Sequence, residues 1–437
     1  MTEQSQPTAN DVAAYVGQAS NKAWEVPGLP ADTALRPIKK VGIIGAGTMG
    51  GGISMNFATA GYEVTIVETQ QEALDRGLSV VRANYQRSAD RGRFAPEEVD
   101  IRMNRITGTL NKSDLADCDL VIEAVFENMD LKKQIFGELD QIVKSGAILA
   151  TNSSALDIDE IASATKRPED VIGLHFFSPA NVMKLLEVVR ADHTADDIVA
   201  TSMDLAKKIN KIAVLAGVTP GFIGNRILRA RQAQANKLLY KGVMPWDVDA
   251  AINHFGFKMG PYQMADLAGL DIGWSKGAKT ENPIRDTLCE MDRRGQKTKA
   301  GFYDYDENRK PIPSDIVAKV IRDITGAESS SIDQQEIIET CIFPMINEGL
   351  KILEENKAQR PSDIDIVWLN GYGWPADKGG PMFYADTVGA ATILARMEKL
   401  AAEDDKFSPA ETLKKLATEG GSFLELDLGG LKTAKDR

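Results

Sequence analysis

Val41-Gly42-Ile43-Ile44-Gly45-Ala46-Gly47-Thr48-Met49-Gly50 is a short apolar run leading into G-x-G-x-x-G. The run reads as a buried strand and the stretch after Gly50 as a helix, the context that gives the glycine pattern its meaning. Gly45 serves the tight turn, Gly47 lets a pyrophosphate approach the backbone, and Gly50 lets the helix lie close to the strand. The helix start at Thr48-Met49-Gly50 then presents free N–H groups to phosphate oxygens. The next strand ends in Glu68, eighteen residues past Gly50. A carboxylate there accepts from the adenosine ribose and repels a 2′-phosphate, so NAD is the expected dinucleotide. FAD is the competing ligand for such glycines, and the rest of the chain argues against it.

Outward from this motif, Glu63–Glu68, Leu120–Ala124, Ala147–Asn152 and Val171–Phe176 are further short apolar runs separated by amphipathic stretches. That alternation predicts parallel strands in βαβ units, buried on both faces. Residues 1–38 read as a polar arm with a short helix near Asn10–Trp24, then Pro-spaced chain. Past Thr219-Pro220-Gly221 long helical patterns take over. Within them Pro245-Trp246-Asp247-Val248-Asp249 returns as Pro361-Ser362-Asp363-Ile364-Asp365, and Gly260-Pro261 through Gly269 returns as Gly380-Pro381 through Gly389. The offset is 116 at the first pair and 120 at the second, which indicates a duplication with a small insertion between its landmarks. The Ser-rich stretch Gly326–Asp333 reads as a linker between the copies. The expected fold is therefore α/β plus all-α: a Rossmann-type doubly wound NAD-binding domain over 39–218, then duplicated helical domains over 219–328 and 329–437.

Composition narrows the function. A formal net charge of −12 opposes general nucleic-acid binding, which needs Lys and Arg to neutralise phosphates. No run of about 18 apolar residues is present, so no membrane span is expected. Met1–Gln6 lack the basic and apolar regions of a signal peptide. Cys118, Cys289 and Cys341 are far apart and odd in number, which predicts neither a disulfide framework nor a metal site. A cytoplasmic protein without a metal is the expectation.

Three histidines are available for proton chemistry. His254 beside Phe255-Gly256-Phe257 reads as packing or turn, and His193 in a charged loop reads as solvated. His175 ends a strand of the sheet, where ligands bind in open α/β folds, although a buried histidine bonded to a backbone carbonyl would look the same. Glu187 sharpens the choice. It lies inside the apolar run 182–189, which reads as a buried strand, and an unpaired carboxylate there would cost several kcal/mol. An imidazole is the partner that benefits, because the carboxylate stabilises its protonated form. Thr151-Asn152-Ser153-Ser154 and Gly221-Phe222-Ile223-Gly224-Asn225-Arg226 suit hydrogen bonding to a substrate oxygen, yet taken alone each reads better as helix N-capping.

Taken together, Gly45-x-Gly47-x-x-Gly50, Ile122-Glu123-Ala124-Val125-x-Glu127, Asn152-Ser153-Ser154, His175-Phe176-Phe177-Ser178-Pro179, Glu187 and Gly221-Phe222-x-x-Asn225-Arg226 resemble the L-3-hydroxyacyl-CoA dehydrogenases of fatty acid β-oxidation. The resemblance runs from about residue 39 to the end. With its duplicated helical half it is closest to the dehydrogenase part of the multifunctional β-oxidation enzymes, and Val26–Asp32 is similar to the linker preceding that part. The resemblance implies NAD-dependent oxidation of (3S)-3-hydroxyacyl-CoA to 3-oxoacyl-CoA. His175 would be the general base, Glu187 its orienting partner, and Ser154 and Asn225 the donors to the substrate oxygen. Glu127, Lys132 and Asn152 would join Gly45, Gly47, Thr48, Met49, Gly50 and Glu68 at the cofactor. Ser178 stands where the family often has Asn. The amphipathic insertion 70–105, with Arg76, Arg82, Arg87, Arg91, Arg93, Arg102 and Arg105, would border the acyl-CoA, some of them meeting its phosphates. Enoyl-CoA hydratase or thiolase partners, and a monomer or non-obligate dimer, complete that picture. The rivals are a dehydrogenase of another hydroxyl substrate on the same fold and a non-catalytic NAD- or acyl-CoA-binding module.

Overall fold

The computed structural model describes residues 7–30 and 32–432. Residues 1–6 and Ala31 of the expected arm, and 433–437 of the expected last domain, lie outside the described residues. In chain order the elements of the α/β part are α1 (Ala9–Lys22), β1 (Lys40–Ile44), α2 (Thr48–Thr59), β2 (Glu63–Val67), α3 (Gln71–Asp90), α4 (Glu98–Met103) and β3 (Ile106–Thr109). They continue with β4 (Leu120–Glu123), α5 (Met129–Ile142), β5 (Ile148–Thr151), α6 (Ile158–Ala162), β6 (Val171–Phe176), β7 (Leu185–Arg190), α7 (Asp196–Lys208) and β8 (Ile212–Gly217).

These strands form one eight-stranded sheet in the order β3-β2-β1-β4-β5-β6-β7-β8. The chain runs outward from β1 to one edge and then returns to lay β4 on its other side, the strand-order reversal that opens a ligand crevice. All neighbours pair in parallel except β6 and β7, which are antiparallel. The runs expected to be parallel are parallel; the exception falls at β7, whose direction carried no expectation, and the reason is chain length. Only residues 177–184 join the two strands, fewer than the dozen or so that a parallel crossover requires. Strands β3 and β8 carry no separate sequence prediction. In β3 the run is short and holds Gly108, with only Ile106 buried. The inner strands β4, β5 and β6 are buried at every position, which is why they read as unbroken apolar runs.

The helical half contains α8 (Gly224–Tyr240), α9 (Pro245–Phe255), α10 (Pro261–Ala268), α11 (Pro283–Glu290), a small hairpin of β9 (Tyr303–Tyr305) with β10 (Pro311–Pro313), and α12 (Asp315–Thr325). It continues with α13 (Gln334–Glu354), α14 (Pro361–Gly371), α15 (Pro381–Val388), α16 (Ala390–Glu403) and α17 (Glu411–Glu419). The repeat is visible in the elements: α9 and α14 each have 11 residues, and α10 and α15 each have 8. Proline opens all four helices, where its missing N–H costs nothing.

By compactness the chain divides into two units. The first comprises the residues up to Arg226 with Lys351–Tyr372 and the segment from Phe423. In it α14 packs beside α1 and against β7 and β8, with the Tyr15 hydroxyl donating to Asp365 at 2.6 Å. The second comprises Ile227–Leu350 and Gly373–Ser422. Buried Asp249 there accepts from the Tyr262 and Gln263 amides and the Tyr303 hydroxyl, and buried Asp266 from the Phe302 and Tyr303 amides and the Tyr305 hydroxyl. Among the described residues no helix is long and apolar enough to cross a membrane.

Candidate active site

The glycine turn has the expected form. Gly45 has φ 102°, a left-handed conformation that favours glycine, and a side chain at Gly50 would come within 1.9 Å of the Gly45 carbonyl oxygen. Gly47 is the N-cap of α2 and offers no side chain to the helix's first amides, so those donors are left for another acceptor. They border a cavity of about 280 Å³ lined in part by Ala46, Gly47, Thr48, Glu68 and Arg76. Glu68 accepts from the Ala46 amide at 3.0 Å and the Thr69 amide at 2.7 Å. Burial raises its pKa, but those bonds and nearby Arg76 outweigh it and hold the carboxyl below the usual range. An ionised acceptor beside uncapped helix amides fits the ribose and pyrophosphate of a dinucleotide.

The second cluster gathers at the carboxyl ends of β4, β5 and β6. His175 and Glu187 are direct cross-strand partners of β6 and β7, and His175 Nδ1 lies 2.6 Å from Glu187 Oε2. Glu187 is fully buried and His175 is 5% exposed. The other carboxylate oxygen accepts from the amides of Gly224 at 2.9 Å and Ile223 at 3.2 Å, at the start of α8. Gly221 (φ 89°) and Phe222 (φ 49°) are both left-handed, and through them the chain turns from β8 into that helix. One carboxylate thus orients the imidazole and satisfies helix N-terminal donors, which resolves the cost of burying it.

Asn225 follows in the first turn of α8, its Nδ2 donating to the Ser154 carbonyl at 3.3 Å. Ser153 is buried and donates to Glu127 at 2.7 Å, while half-buried Ser154 gives Glu127 its amide at 2.8 Å and its hydroxyl at 3.2 Å. The Glu127 carboxylate gathers this turn. Although desolvation pushes its pKa up, the Ser153 hydroxyl, Lys132 and the Ser154 amide bring it below the usual value. Lys132 is 1% exposed and donates to Glu123 at 2.7 and 2.9 Å, with Glu127 at 3.4 Å. Asn152 Oδ1 accepts from the Phe176 amide, tying β5 to β6 just ahead of the catalytic candidates. Glu123 was not singled out in the sequence, though a carboxylate inside Leu120–Glu123 carries the same signal as Glu187.

His193 is exposed, as expected. His254 is exposed on the last turn of α9, so of its two readings, packing or turn, packing does not hold. The arginine-bearing insertion is a helical hairpin of α3 and α4, but its arginines divide. Arg82 pairs with Asp100, Arg102 pairs with Glu98 and lies 3.8 Å over the Phe94 ring, and Arg105 donates to the Ala58 carbonyl. Arg87, Arg91 and Arg93 are exposed and line a separate cleft of about 670 Å³ together with Lys184, Lys211 and the already paired Arg102.

Residues 40–219 match the NAD binding domain of 3-hydroxyacyl-CoA dehydrogenase, and the C-terminal domain of the same family matches twice, over 221–305 and 337–422. The chain belongs to the 3-hydroxyacyl-CoA dehydrogenase family. The double match places both copies of the helical repeat in that family and makes the first domain its NAD-binding domain. Peroxisomal bifunctional enzymes from Cavia porcellus and Homo sapiens are each 41% identical over 97% of the chain and 62% of their own length. The chain therefore spans about three fifths of those relatives. The dehydrogenase part of multifunctional enzyme 1 from C. elegans is 31% identical, with TM-score 0.66 over 92% of this chain and 96% of that one. A 3-hydroxybutyryl-CoA dehydrogenase from Escherichia coli is 26% identical, with TM-score 0.76 over 88% and 99%.

Proposed function

We propose that the protein interconverts (3S)-3-hydroxyacyl-CoA and 3-oxoacyl-CoA with NAD as the hydride acceptor. The observation that carries this reading is the His175–Glu187 pair beside Ser154 and Asn225, in a chain whose family carries that name. With Nδ1 bonded to Glu187, the imidazole presents Nε2 to the substrate. There it takes the proton of the 3-hydroxyl as that carbon becomes a carbonyl, and Glu187 balances the positive charge created on the ring. Bound NAD supplies the two-electron acceptor for the hydrogen on the same carbon. Ser154 and Asn225 hold the substrate oxygen and fix its angle of approach.

Gly45, Gly47, Thr48, Met49, Gly50 and Glu68 form the cofactor's pyrophosphate and ribose contacts in this reading, with Asn152 and Glu127 nearer the nicotinamide. Lys132 acts through Glu127, since its ammonium is enclosed by the two glutamates. Arg87, Arg91 and Arg93 meet the CoA phosphates, an assignment supported by their shared basic cleft. The domain limits proposed are 1–38, 39–218, 219–328 and 329–437.

The duplicated helical half supports activity without an obligate dimer, which light scattering on the active enzyme tests. Docking of an enoyl-CoA hydratase or thiolase belongs to the same reading, motivated by the bifunctional relatives, and pull-down with such enzymes checks it. Three buried, unpaired thiols fit a cytoplasmic site, whereas the peroxisomal names of the relatives favour the organelle. Cell fractionation separates these. Consumption of NADH on adding acetoacetyl-CoA is the direct test of the reaction, because a binding module without turnover gives none.

A further inference from the structure

The offset of the helical repeat widens between its two landmarks, and the structure locates the extra residues. The loop from α9 to α10 holds five residues, 256–260, whereas its counterpart from α14 to α15 holds nine, 372–380. At the upstream offset of 116, Tyr372 occupies the position that Gly256 holds in the first copy. Tyr372 does not face away from the chemistry. Its hydroxyl donates to Asn225 Oδ1 at 2.8 Å. Its ring stacks on Trp368 (4.6 Å, 25°) and meets Phe177 edge-on (5.4 Å, 78°), and Phe177 lies 4.3 Å from the His175 ring. Space for it is reserved on α8, because a side chain at Gly224 would lie 2.3–2.6 Å from the Tyr372 ring and hydroxyl.

Building on the reading of the reaction above, we infer that Tyr372 is a positioning residue for the reaction, fixing the Asn225 amide so that its NH2 faces the substrate oxygen. An asparagine amide has an accepting oxygen and a donating nitrogen of nearly equal size, and a half-turn exchanges them. An electron-rich substrate oxygen needs the nitrogen. The Ser154 carbonyl on one side can only accept, so it selects Nδ2. The Tyr372 hydroxyl on the other side donates to Oδ1 and holds the oxygen away from the substrate. Of the two N–H groups on Nδ2, one is used by Ser154 and the second is aimed by this bracket. The ring adds a wall: Trp368, Tyr372 and Phe177 form a continuous aromatic chain up to the imidazole. The second copy of the repeat thereby contributes a side chain to the reaction centre, through a position the first copy leaves as glycine.

The test is Tyr372→Phe in the full chain, which keeps the ring against Trp368 and Phe177 and removes only the oxygen. With wild type consuming NADH on acetoacetyl-CoA as the reference, kcat should fall about tenfold, as expected for one oriented hydrogen bond. The KM for NADH and the thermal unfolding midpoint should stay at wild-type values. Asn225→Ala supplies the reading that a merely structural role would not move: in that background Tyr372→Phe should cause no further loss. Wild-type kcat in the single variant, or the same fractional loss with and without Asn225, would overturn the inference. A lowered midpoint with an additive loss would do so too, by assigning the hydroxyl to packing. An inactive wild type would instead remove the proposed reaction itself.

Discussion

Glu187 stands directly opposite His175 across the antiparallel β6–β7 pair, and its Oε2 lies 2.6 Å from the imidazole Nδ1. The single antiparallel pairing in the sheet is what makes them neighbours. Cross-strand residues of such a pair point to the same face, so two side chains twelve residues apart in sequence meet without any long-range adjustment. The first prediction follows from the nitrogen this leaves for substrate. Replacing the imidazole by an amide, His175→Gln, should lower kcat by about 10²–10⁴-fold. Titration of NADH fluorescence should show cofactor binding retained. Turnover within a few-fold of wild type would remove His175 from the mechanism.

Glu187 carries two duties, and Glu187→Gln separates them. The amide can still accept from Gly224 and Ile223, so the start of α8 should survive. What it cannot do is balance the imidazolium formed when the proton is taken. We expect kcat to drop about 10²-fold while urea unfolding shifts by only about 1–2 kcal/mol. A large stability loss with normal turnover per folded molecule would assign the residue to architecture alone.

In the arginine hairpin Arg82, Arg102 and Arg105 are held by protein partners, whereas Arg87, Arg91 and Arg93 face a cleft that Arg102 also borders. Changing Arg87, Arg91 and Arg93 together to Gln should raise the KM for acetoacetyl-CoA about tenfold or more and leave the KM for NADH unchanged. The salt sensitivity of the CoA KM should weaken in the same variant. An equal change in both KM values would mean the cleft does not discriminate CoA. Arg82→Gln serves as the contrast, since Arg82 is held by Asp100 at the hairpin surface.

Lys211 gives a pH signature. Its ammonium is buried and donates to the carbonyls of Ala180 at 2.5 Å and Met183 at 2.6 Å, securing the loop between β6 and β7. Desolvation, with Lys184 adding to it, lowers its pKa from 10.5 to about 8. Below 8 the folded protein holds a charged group in a site that disfavours charge. Between 8 and 10.5 the unfolded chain binds more protons than the folded one, so folding gains as pH rises through that window. Wild type should therefore become more stable relative to Lys211→Met when the comparison moves from pH 7.5 to pH 9.5. A constant difference in chemical denaturation would show that the lysine does not titrate there.

Much of this was legible in the residues, and for identifiable reasons. The Rossmann half announces itself because its inner strands are buried on both faces and its glycine turn has strict requirements. Glu187 could be found because a carboxylate in an apolar run demands a partner. The duplication could be found because Gly-Pro and Pro-x-Asp helix starts recur at similar spacing. The direction of β7 was hidden, since periodicity is the same for parallel and antiparallel strands and only the short 177–184 connection carries the answer. The division of the arginines was equally hidden: Arg82 and Arg93 look alike until Asp100 is seen beside one of them. Tyr372 lies 147 residues from Asn225, and no local pattern joins a tyrosine at a helix end to an amide that far away. Only the widened repeat offset marked its loop.

The central claim is a dehydrogenase that uses NAD on a CoA-linked 3-hydroxyl, and one spectrophotometric assay reaches all of it. The absorbance of NADH is followed after adding acetoacetyl-CoA and then longer 3-oxoacyl-CoA, with NADPH as the parallel cofactor. Loss of the NADH signal with little or no loss for NADPH is the predicted result, joining the His175 site to the ionised Glu68 carboxylate. No consumption of either cofactor, with NADH binding intact, would contradict the account and leave either another hydroxyl substrate or a non-catalytic module.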